Sequence, residues 1–489
     1  GDHRDLHSFP TRRSSDLPTT PFTTHSKMNP ISKMIPAVNR LVGLTWIDLP
    51  VPSRMIWGLA AVLFLPASSS AAEQRFVDVR TVMRLAGANN DEIERARLQH
   101  LQAIAESKQT WQRFWPSPSL EAGYKGYDGR IQNVEGAVFD VEKEQYTVGA
   151  AVVVDWSPGD LYYEGLVSEQ RVSAAAQLEE KARRDVVLEA VERYYDLLSE
   201  EAALALVTDI LRSLRSYERE IAGAVTAGTA LRTEVLRVKG QVSRSQLEIR
   251  KIEEMRDLKS AALAETLRLA PDSKLRPAKS DLVPVSLLSG NESGKMIELA
   301  QTQRPEILAA GATTTAADLE EKRSRVAPLI PSLKARYNGG GLGGGADGNT
   351  GNFGDEQDTF VGLSWKIGPG GLFDKQRKKI AGAKLQVAEH QSDTLKAVVG
   401  REVVEALARS DSAEDQLSIC NEAVSNAEEM VALTRQRQAS EVGVVLDYLL
   451  ANDELIGAQR SRLEAINLYN KAQHALMHAV GNPSSRDQK

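Results

Sequence analysis

The sequence predicts a mainly α-helical protein with a small β part, built from two copies of one structural plan. Two proline-free stretches of almost equal length, from Pro158 to Pro271 and from Pro369 to Pro483, carry apolar residues at helical spacing. Ahead of each stretch, short segments alternate apolar and polar residues, which is the period of a β-strand. The predicted fold is therefore a pair of long antiparallel helical hairpins, each preceded by two strands.

Residues 1–72 have the character of a leader rather than of a folded domain. Residues 1–27 show no apolar period and resemble translated upstream sequence, so we expect them to be foreign to the natural protein. The apolar run MIWGLAAVLFLP is too short to span a bilayer, and the small residues after it offer a signal-peptidase site near Ala72. We expect a secretory signal, with a buried core helix as the alternative. The candidate start residues are Met28, Met34 and Met55.

Composition and charge narrow the class of protein. The 489 residues carry a formal net charge of −6 with both signs interspersed, which argues against nucleic acid as a partner. After the leader, no window approaches the run of about eighteen apolar residues that a membrane-spanning helix needs. Cys420 is the single cysteine, so neither an internal disulfide nor an N-terminal lipid anchor is expected. Export without a spanning helix leaves the periplasm, the outer membrane or the medium.

Sequence matches at one offset indicate an internal duplication. They divide the chain after the leader into a first repeat, residues 73–292, and a second repeat, residues 293–489. The matching pairs, 213 or 214 residues apart, are LAGANNDEIERA at Leu85 with LAQTQRPEILAA at Leu299, PSL at Pro118 with PSL at Pro331, and TEVL at Thr233 with LDYL at Leu446.

Each repeat is expected to contain a helix, a strand pair and a helical hairpin, in that order. In the first repeat the strand pair covers residues 118–156 and the hairpin residues 159–269, followed by a linker. In the second repeat the strand pair covers residues 331–367 and the hairpin residues 370–482, followed by a short tail. A turn near the middle of each hairpin predicts arms of about fifty to sixty residues, or roughly 80 Å. The run NGGGLGGGADGNTGNFGDEQD is expected to be a loop between the second pair of strands.

The segment from Tyr146 to Trp156 predicts a strand with one apolar face, because every second residue is large or apolar. The second repeat shows the same alternation. The residues expected to face a membrane are Val148, Val152, Val154, Trp156, Val361, Leu363 and Trp365. The residues expected to face water include Thr147, Gly149, Ala151, Asp155 and Ser364.

Four such strands cannot lie in a membrane as an open sheet, because the backbone groups at its edges would have no hydrogen-bond partners. Four strands are also too few to close a barrel. Three copies of the chain would supply twelve strands, an even number within the range of outer-membrane barrels and enough for a water-filled lumen. The alternative is a soluble protein in which two β-hairpins cap a helical bundle.

The duplicated order, the two PSL entries, the tryptophans that end the strand pairs, and the TEVL and LDYL turns resemble the TolC-like outer-membrane efflux protein family. The resemblance covers nearly all of residues 73–482. It implies a homotrimer with a twelve-stranded barrel in the outer-membrane lipid, continuous with a periplasmic α-helical barrel. It also implies that an inner-membrane pump and a periplasmic adaptor protein deliver the substrate. A periplasmic adaptor with a single hairpin and a structural coiled-coil protein are the alternatives.

The resemblance also suggests a gate at the periplasmic tip, formed by the turns at Gly228 and Gly443. The family carries two acids three residues apart on the inner helix of the second repeat, and the matching positions here are Asp447 and Leu450. Three copies of Asp447 would form a ring of negative charge, and Glu234 is the corresponding acid of the first repeat. The alternative is that Asp447 only caps the helix that follows the turn.

No catalytic or metal-binding pattern is expected to be functional, and neither a cofactor nor enzyme activity is predicted. The sequence GGGLGG at 339–344 satisfies a phosphate-loop pattern only literally, because no helix follows it. His474 and His478 stand one helical turn apart, but Ala475 lies where a metalloprotease carries glutamate. We expect both histidines to lie on a solvated helix face.

Overall fold

The computed structural model describes residues 74–88, 90–288, 292–346, 352–439 and 444–481. The predicted signal with its cleavage site, Gly443 and the tail after residue 481 lie outside these residues. The helices are α1 (Val79–Ala86), α2 (Asp91–Gln112), α3 (Pro158–Thr226), α4 (Arg232–Thr266), α5 (Ser293–Gln303), α6 (Pro305–Val326), α7 (Lys375–Ala439) and α8 (Val445–Val480). The strands are β1 (Gln74–Val77), β2 (Ser117–Gln132), β3 (Val138–Trp156), β4 (Lys274–Pro277), β5 (Ser332–Ala346) and β6 (Gly354–Ser364).

The two helical hairpins, α3–α4 and α7–α8, have arms of unequal length. Helices α3 and α7 contain 69 and 65 residues, whereas α4 and α8 contain 35 and 36, so the expectation of arms of about fifty to sixty residues is wrong. The reason lies in packing along the long helix. Helix α4 accompanies only the part of α3 towards the turn, and α2 packs on the part nearer the sheet, where Ser168 donates a hydrogen bond to Ser107 (3.0 Å). Each long helix thus has two shorter partners.

The four long strands form one antiparallel sheet in the order β2-β3-β5-β6. The glycine-rich run was expected to be a loop, but its first part, up to Ala346, is strand β5. Glycine at these positions permits close approach of the strands: a Cβ on Gly149 of β3 would lie 2.8 Å from the carbonyl oxygen of Gly339. The second strand pair was expected to extend to residue 367, but β6 ends at Ser364, so Trp365 lies beyond the strand.

The linker between the repeats contains a strand that the sequence did not predict. Strand β4 pairs in parallel with β1, some two hundred residues earlier in the chain. A strand of four residues shows no period of its own, so its partner decides its structure. This small sheet packs with α1 against α3 and α4, where Val82, Leu197 and Leu275 are fully buried.

Separate apolar clusters lie along the hairpins. One contains residues of α3, α4 and α8 near the turns, and another joins α5, α6, α7 and α8 in the second repeat. The helices of each hairpin are therefore held together by apolar stripes, the arrangement that helical periodicity predicts.

Candidate functional site

The strand register places most of the large apolar residues of the four strands on one face of the sheet. Directly paired residues of antiparallel strands project to the same face. Val152 pairs with Pro118 and with Tyr337, and Leu333 pairs with both Trp156 and Leu363. The apolar residues on this face, called the apolar face here, are Leu120, Ala122, Tyr124, Tyr146, Val148, Val152, Val154, Trp156, Leu333, Ala335, Tyr337, Val361 and Leu363. Strand β6 also places the polar residues Asp355, Gln357 and Thr359 on it. Trp365 lies just past the end of β6, exposed, with its indole N–H directed at the carbonyl oxygen of Leu329 (3.4 Å).

The apolar face has the height of a membrane band. From Tyr146 to Trp156 the strand rises about 33 Å, which at a tilt of about 40° gives a height of about 25 Å. Tyrosines end the band on one side, where Tyr124 and Tyr146 donate hydrogen bonds to the carboxylate of Glu144 (3.2 and 2.7 Å). Trp156 ends it on the other side. Aromatic residues at both borders are typical of membrane–water interfaces.

The opposite face of the sheet is polar and carries cross-strand ion pairs. Arg336 of β5 contacts Glu121 of β2 at 3.1 Å, and Lys334 contacts Asp155 of β3 at 3.7 Å. Three features depart from the sequence expectation. Ala151 is on this face as expected but only 2% exposed. Val153 adds an apolar side chain to this face, and Phe360 adds an exposed aromatic ring.

The turn of the first hairpin is closed by Gly228, which has a φ of +79°. The N–H of Thr229 donates to the carbonyl oxygen of Ala224 (2.9 Å), a pattern that satisfies the end of α3 and requires a left-handed residue. After the turn, the carboxylate of Glu234 accepts a hydrogen bond from the N–H of Leu231 (3.2 Å). Glu234 therefore caps the start of α4.

The second hairpin presents its candidate gate residues to the exterior of the protomer. Asp447 and Leu450 are exposed on α8, whereas Tyr448 and Leu449 of the same turn are buried. The ring of Tyr448 lies 4.5 Å from that of Tyr217 on α3. Among the described residues, the carboxylate of Asp447 accepts no hydrogen bond, in contrast to Glu234 at the matching position of α4. The capping alternative thus has no contact to support it.

The structure shows polar contacts between α4 and α8, above the turns, that the sequence analysis did not predict. The side-chain amide of Gln241 donates to the carboxylate of Asp453, and Arg244 donates through Nε to the side-chain oxygen Oε1 of Gln241 (2.8 Å). Burial raises the pKa of Asp453, against the opposing effect of the Arg244 charge and the Gln241 hydrogen bond. A second contact joins Arg460 to Glu248 at 2.7 Å. No local pattern marks these residues, because their partners lie in the other repeat.

An ion cluster joins the two repeats where the sheet meets the helices. Asp160 at the start of α3 accepts hydrogen bonds from Arg323 and Arg377, both at 2.8 Å. Burial would raise the pKa of Asp160, but the hydrogen bonds and charges of the two arginines outweigh it and hold the pKa below its ordinary value. The cluster ties α3 of the first repeat to α6 and α7 of the second.

The two histidines of the last helix lie in different environments. His474 is buried beside the ring of Tyr195 (5.6 Å), and burial lowers its pKa to about 4, so the expected solvated face is wrong for this residue. His478 contacts Asp185 at 2.9 Å. The described part of the chain contains no group of three histidine, cysteine or acidic side chains placed to hold a metal ion. Within the same residues, no helix is both long and apolar enough to cross a membrane.

Comparison with known proteins agrees with this geometry. The family model described as outer membrane efflux protein matches residues 296–482. A membrane protein from Pseudomonas aeruginosa superposes with a TM-score of 0.66 at 20% identity, covering 85% of this chain and 98% of that chain. VceC, an outer membrane protein of Vibrio cholerae, gives 0.66 at 18% identity, with 82% and 96% covered. The CmeC outer membrane channel of Campylobacter jejuni gives 0.66 at 15% identity, with 82% and 85% covered. No curated protein matches the chain.

The resemblance to the TolC-like outer-membrane efflux protein family is thereby confirmed, and the fold is that of its members. The mainly helical fold with a small antiparallel sheet is confirmed with it. This family and the structural neighbours are channel proteins rather than enzymes.

Proposed function

We propose that this chain is the outer-membrane channel of a tripartite efflux or secretion system. It forms a homotrimer in the cell outer membrane with an extension into the periplasm. It is a passive exit duct for substrates that an inner-membrane pump and a periplasmic adaptor deliver. The observation that carries the proposal is the register of the sheet, which places most of the large apolar residues of four strands on one face, about 25 Å high along β3.

The edges of the protomer support a closed ring of copies. Within the described part of the chain, strands β2 and β6 each pair on one side only, so each has an edge that a neighbouring copy can fill. Among the long helices, α4 packs mainly on α3 and α7 mainly on α8, while α3 and α8 contact each other, so α4 and α7 each keep an outer side. On α4, opposite the side that faces α3, Leu236, Leu247 and Leu258 are each more than half exposed. Neighbours eleven residues apart share one helix face, so these leucines form a stripe.

Helix α7 offers a matching apolar surface at the other edge. Ile419, Met430 and Leu433 are exposed there, away from the face that packs on α8. A second copy that places its α4 against this α7 would cover both stripes. Because the two edges differ, such contacts repeat head to tail and close only as a ring. Three protomers then supply the twelve strands of the barrel.

In this assembly the apolar face of the sheet meets lipid. The lipid-facing residues are Val148, Val152, Val154, Trp156, Val361, Leu363 and Trp365. The polar face with Glu121, Arg336 and Asp155 lines the lumen, where its charges remain in water.

We assign the gate to the periplasmic turns. Asp447 and Leu450 would form an acidic and an apolar ring at the axis, since both are exposed and the carboxylate of Asp447 makes no capping contact with a described residue. Glu234 and Gly228 shape the first turn and Gly443 the second. The contact between Gln241 and Asp453 adds to these candidates, because it joins the two hairpins just above the turns.

Fractionation and conductance test the proposal. The protein should sediment with the outer membrane as a trimer band that collapses on heating, and the purified trimer should conduct ions in planar bilayers. A monomer in the soluble periplasmic fraction would favour the adaptor or the structural coiled-coil protein instead. A trimer that binds no adaptor in pull-down assays would contradict the tripartite part of the proposal alone.

A further inference from the structure

The segment that joins β6 to α7 forms, with the first turn of α7, an exposed surface at the end of the sheet. The N–H of Leu372 donates to the carbonyl oxygen of Lys366 (2.9 Å), and the N–H of Phe373 donates to that of Ile367 (3.4 Å). These contacts fold the segment back on itself, so α7 begins close to the end of β6. The exposed residues of this surface, called the border patch here, are Trp365, Lys366, Ile367, Phe373, Lys375, Lys378 and Lys379.

The apolar part of the border patch continues the apolar face of the sheet. Counted at the two-residue period of a strand, Trp365 and Ile367 follow Val361 and Leu363. Phe373 lies beside Ile367 through the backbone hydrogen bond described above. Trp365, Ile367 and Phe373 are each more than half exposed. Large apolar side chains therefore extend past the end of β6 on the side that is proposed to meet lipid.

The lysines of α7 lie on the side of the helix that is turned away from the rest of the protomer. Arg377 marks the packed side, because its guanidinium donates to the ion cluster described above, and Ala381, one turn later, is buried. With 3.6 residues per turn, three lysines lie within an arc about 100° wide on the opposite side. They are Lys375, Lys378 and Lys379.

The acids near the border patch are already engaged by other groups. Asp160 is shared by Arg323 and Arg377. The carboxylate of Asp374, just before α7, accepts hydrogen bonds from the N–H groups of Gly370 (2.7 Å) and Arg377 (2.9 Å). Within the described part of the chain, the four lysines of the patch have no acidic side chain within ion-pair distance. Their positive charge is therefore not neutralised by the protomer.

The lysines do not stabilise the helix that carries them. Positive charge in the first turn opposes the helix dipole, and the first turn of α7 contains no acid. The first repeat follows the opposite pattern, since α3 has Asp160 in its first turn and the first basic residue after Trp156 is Arg171. A local rule that is broken in one repeat only indicates a functional surface rather than a requirement of the fold.

A neighbouring copy of the chain offers no carboxylate to these lysines. In the proposed ring, β6 pairs with β2 of the next copy, so α7 begins beside the end of α2 and the start of β2 of that copy. From Ser107 to Leu120 this stretch contains no aspartate or glutamate, and its charged residues are Lys108 and Arg113. The contact between copies therefore adds positive charge instead of compensating it, and the anion must come from elsewhere.

The lysines of α7 fit the depth of one lipid headgroup layer. A bilayer measures about 30 Å across its hydrocarbon core and about 40 to 45 Å with the headgroups, so each headgroup layer is about 5 to 8 Å deep. From Lys375 to Lys379, α7 rises about 6 Å. Trp365 lies at the end of the apolar band, where an aromatic residue marks the border of the hydrocarbon. The ammonium groups thus lie at the level of lipid phosphates.

We propose that the border patch binds anionic phospholipid of the leaflet that faces the periplasm. The proposal rests on the proposed function, because it requires the apolar face to lie in a membrane. The ammonium groups donate hydrogen bonds to the phosphate oxygens, while the acyl chains cover Trp365, Ile367 and Phe373. A lysine close to an anionic lipid surface strengthens binding by about fivefold. A trimer carries three such patches.

The test measures binding of phosphatidylglycerol to the full-length trimer in detergent by native mass spectrometry, with phosphatidylcholine as the neutral lipid. The wild type should bind up to three molecules of phosphatidylglycerol in preference to phosphatidylcholine. The double variant Lys378→Gln with Lys379→Gln should bind phosphatidylglycerol about 25-fold more weakly. The matched control is Lys239→Gln with Lys251→Gln, which removes the same charge from exposed positions of α4 and should bind as the wild type does.

The outcomes separate the border patch from the proposed function. Equal affinity of a conducting wild-type trimer for both lipids, or an unchanged affinity of the double variant for phosphatidylglycerol, contradicts the patch and leaves the channel intact. A wild-type protein that neither forms a trimer nor conducts contradicts the proposed function and the patch with it.

Two further measurements exclude other occupants of the patch. Inorganic phosphate that displaces phosphatidylglycerol completely would identify a site for free anions and overturn the lipid. A trimer band of the double variant that disappears at a lower temperature than that of the wild type in pure phosphatidylcholine vesicles would assign the lysines to the contact between copies and overturn it as well. If the double variant does not assemble, Lys378→Gln and Lys379→Gln are measured singly, and each should weaken binding about fivefold.

Discussion

Arginine in place of Val152 is the sharpest perturbation of the apolar face. Val152 lies four residues from Trp156 and six from Tyr146, so it stands close to the middle of the band. Along a strand tilted by about 40°, these separations correspond to about 10 and 15 Å of depth. The register with Pro118 and Tyr337 puts its side chain on the same face as the other apolar positions.

The cost follows from that depth. An arginine near the midplane of a membrane barrel costs about 2 to 4 kcal/mol, and a trimer carries three of them, so about 6 to 12 kcal/mol in all. Asp358→Arg is the matched control. Asp358 pairs with Asn338, which pairs with Ala151, so it lies on the polar face within one residue of the level of Val152. An arginine there faces water and should cost little.

The assay is the heat-modifiable trimer band together with urea unfolding in lipid vesicles. Val152→Arg should lower the temperature at which the trimer band disappears and the free energy of unfolding, while Asp358→Arg stays close to wild type. Equal losses in both variants would refute the assignment of faces. Wild-type behaviour of Val152→Arg would refute contact of this face with lipid.

Three further predictions address the turns and the ion cluster. Asp447→Asn should lower cation selectivity in planar bilayers with no change in melting temperature, because the carboxylate of Asp447 accepts no capping hydrogen bond from a described residue; a lower melting temperature with unchanged selectivity would restore the capping role. Gly228→Ala should cost about 1 to 2 kcal/mol because its φ is +79°, whereas Gly223→Ala, in the interior of α3 with open space around its Cβ, should be neutral or stabilising by up to about 1 kcal/mol; equal melting temperatures would contradict the left-handed turn. The folded-state pKa of Asp160 lies below its ordinary value of 3.8, so its stabilising effect is present above pH 3.8 and is lost as the pH falls through the folded-state pKa. The free energy of unfolding of Asp160→Asn should therefore fall less on acidification than that of the wild type. An acid transition identical to that of the wild type would contradict this role of Asp160.

The sequence alone determined the features that depend on local period and local turn chemistry. The alternation from Tyr146 to Trp156 predicted strand β3 and its apolar face, because side chains of a strand alternate whatever its partner is. The turn at Gly228 was predicted because only glycine adopts a left-handed conformation without strain. The duplication was visible because equivalent positions of two similar repeats need similar residues.

Only the tertiary structure decided the features that depend on a partner far along the chain. The glycines of β5 show no side-chain period, and they form a strand because β3 and β6 satisfy their backbone groups. The arms of the hairpins are unequal because α2 and α6 supply the missing partners of the long helices, which no periodicity reveals. Asp453 and Asn470 are ordinary polar residues of a helix in the sequence. Folding brings Gln241 of the first repeat within hydrogen-bond distance of Asp453. It likewise brings Val285, in the linker between the repeats, within hydrogen-bond distance of Asn470.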